Sequence, residues 1–205
     1  MCSFEDFFEF RNFGTNFLMD PKKFSAKFSV NGEMLLGMAQ YPSAYRELVL
    51  KDHRVTIHDL VGSALRAWTH TLVRPDQFLY ITGAESSGKT ILAGKLLLAY
   101  KQEKLLYVRC ADLADAYVTR LLPKKTQPFG ELLSRCYDAS MLVVDDVGPD
   151  VPSEHAQALQ SILATRRGIH LARTILCSRL PLTTLAKSFG PFGRSLLANA
   201  VNAQL

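Results

Sequence analysis

The chain has 205 residues, enough for one ordinary domain with an appended arm and too few for two large domains. Hydrophobic residues at 48% and charged residues at 21% are globular proportions that exclude disorder as the main state. Lys and Arg outnumber Asp and Glu by 24 to 19, a net charge of +5 that is compatible with an anionic partner and does not establish one.

The character of the sequence changes near residue 55. Eight of the 12 Phe fall in the first 28 residues, off any single helical face and interrupted by Gly14 and Pro21. Residues 1–55 are therefore read as a Phe-rich N-terminal arm that either packs onto the main domain or docks a partner, with residues 56–205 as the core. Thr56 and Asp59 open an amphipathic helix through Leu72. Strand and helix then alternate. Strands are expected at Phe78–Ile81, Leu105–Val108, Met141–Val144 and Thr174–Cys177, and helices at Gly88–Tyr100, Asp112–Leu122, Phe129–Tyr137 and Glu154–Arg166. Strands separated by helices imply parallel pairing through right-handed crossovers, hence a three-layer α/β fold with a parallel sheet. The last ten residues, from Leu196, read as one short helix, leaving little or no helical lid.

Several chemistries lose their usual signals. Cys2, Cys110, Cys136 and Cys177 show no C-x-x-C or zinc spacing and are read as reduced thiols of an intracellular protein. The opening MCSFEDFFEF carries acid where a secretory signal needs a basic head, and no apolar run approaches the ~18–20 residues that span a bilayer. Neither a zinc-protease nor a nucleophile-elbow pattern occurs.

The informative turn is Gly83-Ala84-Glu85-Ser86-Ser87-Gly88-Lys89-Thr90, a full match to the phosphate-loop pattern G-x-x-x-x-G-K-[ST]. Glycines let consecutive backbone N–H groups close on a phosphate, and the following helix adds its positive end. Lys89 is expected on the β- and γ-phosphates of a bound nucleotide and the Thr90 hydroxyl on the Mg²⁺ that bridges them. The bare pattern arises by chance in roughly one chain of this length in a hundred, and an apolar strand before it with a helix after it makes chance rarer still. Glu85 is an oddity, a carboxylate in an anion-binding loop. The other half of the site is expected at Met141-Leu142-Val143-Val144-Asp145-Asp146, with Asp145 as the Mg²⁺ partner through water. Asp146 is expected to polarise the attacking water, provided the chain turns at Gly148 and Pro149. Ser178, where a third strand ends, either orients that water or caps a turn.

The segments GAESSGKT, MLVVDDVG and TILCSRLPL together resemble the AAA+ ATPases of the DnaC/IstB type, bacterial and phage helicase loaders and transposition helpers. The resemblance covers about residues 56–195. It implies a P-loop NTPase core that binds ATP and Mg²⁺, self-assembles or joins other subunits, contacts single-stranded DNA and serves a replicative helicase or a recombination protein. It further implies Lys89 and Thr90 on phosphate and metal, Asp145 and Asp146 on metal and water, and Ser178 as sensor. One residue departs from it and one is open to two readings. Arg179 stands where the family usually has Asn, and Arg194 serves either as an arginine finger or as an ordinary surface residue. A non-hydrolysing ATP-binding subunit and a small-molecule kinase share the phosphate loop and remain the alternatives.

Overall fold

Short apolar segments with alternating faces build one sheet covered on both sides. The structure, a computed structural model, describes residues 32–50, 77–100, 104–121, 128–148, 153–166, 172–190, 193 and 198–205. Two helices, α1 over residues 32–38 and α2 at Ser43–Leu50, precede the first strand, β1 (Phe78–Thr82). There follow α3 (Lys89–Tyr100), β2 (Leu105–Arg109), α4 (Cys110–Leu121), α5 (Pro128–Asp138) and β3 (Met141–Val147). The chain continues through α6 (Ser153–Arg166), β4 (Arg173–Ser178) and α7 (Leu182–Ser188) to β5 (Ala200–Gln204). The strands lie in the order β2-β3-β4-β1-β5 and every pair is parallel.

Leu79, Ile81, Val143, Ile175 and Cys177 point to one face and pack with Leu92, Leu96 and Leu97 of α3. Phe78, Tyr80, Leu142, Val144 and Leu176 point to the other, against Leu113 of α4, Leu133 of α5, Ile162 of α6 and Leu185 of α7. This period-two division over apolar strands makes the three-layer α/β sandwich expected from the sequence.

Residues 32–50, inside the span read as an arm, lie on the first face: Leu36, Tyr41 and Val49 share the cluster with Leu92. Tyr41 and Val49 come so close to Gly94 that a Cβ there would sit 2.7 Å from the tyrosine ring, so α3 needs its missing side chain at that point. On the sheet edge, the N–H of Tyr107 donates to the Ala39 carbonyl at 2.7 Å, covering a group that β2 would otherwise leave open. The Phe-rich residues 1–31 and the helix expected from Thr56 lie outside the described residues.

One expectation is corrected. The chain end is not a single helix, because Ala200–Gln204 is a fifth strand paired in parallel with β1, Phe78 opposite Ala200 through Thr82 opposite Gln204. Ala and Gln carry little strand preference, so local sequence is a poor guide; the open hydrogen-bonding edge of β1 decides the conformation.

Among the described residues, no helix is long and apolar enough to cross a membrane.

Candidate phosphate-binding site

In an open parallel sheet the functional end is the carboxyl end of the strands. Here β4 lies between β1 and β3, so the loop after β1, the turn after β4 and the acidic end of β3 stand side by side. The segment Gly83–Gly88 joins β1 to α3, the strand–loop–helix setting that the motif requires. Gly88 has φ +92, a conformation that side chains rarely adopt, and Ser86 is held at φ +60. The loop closes on itself through the Ser87 N–H and the Ala84 carbonyl at 3.3 Å. Ala84, Glu85 and Ser86 are exposed, whereas Ser87, Gly88, Lys89 and Thr90 are half-buried. The Lys89 ammonium donates to the carbonyls of Gly83 at 2.9 Å and Ala84 at 2.5 Å, which holds its charge inside the loop.

Asp145 is buried and well supplied with donors. Its Oδ2 accepts from Thr90 Oγ1 and from the Tyr107 hydroxyl, each at 2.7 Å, and its Oδ1 accepts the Asp146 N–H at 2.8 Å. Charge-assisted bonds of this kind hold a carboxylate in one orientation. Burial and the neighbouring Asp145 charge push the Tyr107 hydroxyl well above its ordinary value, so it stays protonated and donates. Tyr107 escaped the sequence reading; the available signal was a single polar tip within the apolar run LLYV. Tyr41 was missed as well. Its hydroxyl donates to the Thr90 carbonyl at 2.8 Å and its ring meets that of Tyr107 edge-on at 5.1 Å, tying residues 32–50 to the site.

Strand β3 runs three residues past the expected Val144, and a register shift between Val144 and Val147 places the two acids in a bulge. Asp146 sits at φ +57 within that bulge, and its side chain is exposed at the mouth of the site; Pro149, where the turn was expected, lies outside the described residues. The Ser178 hydroxyl donates to the Val147 carbonyl at 2.5 Å and accepts the Leu180 N–H at 3.0 Å, so of its two expected roles the geometry displays the turn cap. Arg194 lies outside the described residues. The described thiols Cys110, Cys136 and Cys177 are free and buried; burial pushes Cys110 up to about 11 and Cys136 up to about 12, which leaves them unreactive protonated thiols.

No protein-family model and no curated protein sequence matches the chain. Solved structures do. The DnaI structure is similar with TM-score 0.56 at 20% identity over 73% of this chain and 86% of that one. The DnaC helicase loader is similar with TM-score 0.55 at 17% identity, over 73% of this chain and 92% of that one. The replication initiator DnaA bound to AMPPCP and single-stranded DNA is similar with TM-score 0.56 at 18% identity, over 71% of this chain and 46% of that one. The chain thus spans just under half the length of that initiator, and 47% of a DNA replication initiation factor. At these identities the likeness is one of fold alone: the chain shares the α/β fold of these replication-protein structures.

Proposed function

We propose that the protein binds ATP with Mg²⁺ at Gly83–Thr90, hydrolyses it, and serves as an accessory factor of DNA replication or recombination in the manner of a helicase loader. The observation that carries this reading is the 2.7 Å contact between Thr90 Oγ1 and Asp145 Oδ2, which joins the end of the phosphate loop to the acidic strand. The donor set there is oxygen alone and small in number, which suits Mg²⁺, an ion that keeps several waters and takes further ligands from phosphates. When bound, Mg²⁺ supplies charge neutralisation at the phosphate oxygens.

The chain's own residues take the other tasks. Lys89, already centred over the loop, exchanges carbonyl partners for phosphate oxygens. Tyr107 and the Asp146 N–H keep the Asp145 carboxylate aimed at Thr90. Asp146, exposed beside the loop, accepts a hydrogen bond from the attacking water. The likeness to a helicase loader and to an initiator bound to single-stranded DNA supports a replicative helicase or single-stranded DNA as partner, with assembly into homo- or hetero-oligomers.

A second reading, in which ATP sets an interface without turnover, is favoured by one observation: the Ser178 hydroxyl is committed to its turn as both donor and acceptor. Phosphate release from ATP, measured with and without single-stranded DNA, separates them. The proposal expects turnover that rises with DNA and disappears in Lys89→Ala; ATP binding with no turnover in any condition selects the second reading, and no ATP affinity removes both.

A further inference from the structure

Glu85 places a negative charge in a loop shaped for anions, and the structure shows what faces it. Arg179 Nη1 lies 3.5 Å from Glu85 Oε2, and Arg179 Nη2 lies 4.0 Å from Asp146 Oδ1. The guanidinium therefore spans the mouth of the site, from the phosphate loop to the acidic strand end.

Its position follows from the register. Ser178 is opposite Thr82 of β1 on one side and Val147 of β3 on the other, so Arg179, the next residue, is level with Gly83 and Gly148. The turn that carries it is pinned on each flank. The Ser178 hydroxyl bonds the Val147 carbonyl and the Leu180 N–H, and the Leu180 carbonyl accepts from the hydroxyls of Tyr80 and Thr82, both at 2.8 Å. The backbone is fixed while the head group is loosely held, because both carboxylate contacts are longer than a good hydrogen bond and the side chains of Arg179, Glu85 and Asp146 are 50%, 80% and 69% exposed. Exposed pairs at such distances are easily exchanged. A phosphate offers the planar guanidinium two oxygens at once, a stronger partner than either carboxylate here.

We propose that Glu85 and Arg179 form a charge latch across the phosphate loop, in which the terminal phosphate of a nucleoside triphosphate displaces Glu85 from Arg179. A diphosphate lacks the group that makes the exchange, so the latch makes Arg179 a specificity-determining ligand for triphosphate over diphosphate. The inference rests on the proposed nucleotide site and adds to it a residue that the phosphate-loop pattern does not contain.

The test is a double-mutant cycle read by calorimetric titration with AMPPCP and, separately, ADP, both with Mg²⁺. Arg179→Ala should weaken AMPPCP by about tenfold or more, the size of a lost hydrogen bond to a charged group, and leave ADP within about threefold. Glu85→Gln should tighten AMPPCP by freeing the guanidinium, and that gain should vanish in the Arg179→Ala background. Melting temperatures without nucleotide should stay unchanged in both variants, since the pair is exposed. Equal losses for AMPPCP and ADP in Arg179→Ala, or a Glu85→Gln gain that persists without Arg179, would overturn the latch while leaving the nucleotide site standing. A wild-type chain that binds neither nucleotide overturns both.

Discussion

Asp145 concentrates the chemistry of the site in one carboxylate that is only 6% exposed. A buried charge is tolerable when each oxygen has donors, and here Thr90, Tyr107 and the Asp146 N–H provide them. Tyr107→Phe keeps the ring and removes one of the two donors to Asp145 Oδ2, so it is expected to cost about 1.5–3 kcal/mol of stability, the usual range for a hydrogen bond to a charged group. Urea unfolding checks this, and an unchanged midpoint would mean that Asp145 is held by its other donors alone. At this scale the sequence was legible where a residue type has one purpose. The glycine pattern between an apolar run and a helix calls for a tight strand-to-helix turn, and Gly88 at φ +92 supplies it. Tyr107 and Tyr41 were not legible, since an aromatic residue in an apolar strand or helix reads as core until its hydroxyl is seen to have a partner. Ser178 was half legible: a hydroxyl at a strand end has two uses, and its partners Val147 and Leu180 display the turn cap.

Elements meet at a staple that no motif advertised. Arg166, at the end of α6 and 2% exposed, donates through Nη1 to the carbonyls of Cys136 and Ala139, each at 2.7 Å. It also donates through Nη2 to the Arg173 carbonyl at 2.7 Å and through Nε to Thr174 Oγ1 at 2.9 Å. These are the carbonyls at the end of α5 and the residues that open β4, so one guanidinium closes a helix terminus and joins three elements. Arg166→Met retains the stem and strips the donors, leaving several buried carbonyls without them. The expected loss is about 3 kcal/mol or more, read from the shift of the urea midpoint. A loss under about 1 kcal/mol would show that other groups or water replace the guanidinium. Strands β1 to β4 were legible as apolar runs between turns, because burial on both faces forces that composition. Strand β5 was not, since Ala200–Gln204 has its conformation imposed by the edge of β1, and Ala203 alone among its residues is fully buried.

At the scale of the whole molecule, the sheet order brings the phosphate loop, the acidic bulge and the Arg179 turn to one end, while residues 32–50 reach that end from the N-terminal side through Tyr41. The alternation of strand and helix made the three layers readable, but the contribution of residues 32–50 to one of them was not, because Leu36, Tyr41 and Val49 are too sparse to mark a core face on their own. The central claim is that this end binds a nucleoside triphosphate. Calorimetric titration of AMPPCP with Mg²⁺ into the wild-type chain and into Lys89→Ala tests it most directly. The account predicts saturable one-to-one binding by the wild type and a loss of about tenfold or more in Lys89→Ala at an unchanged melting temperature. Absence of binding by the wild type, or equal affinity in the two proteins, would contradict it.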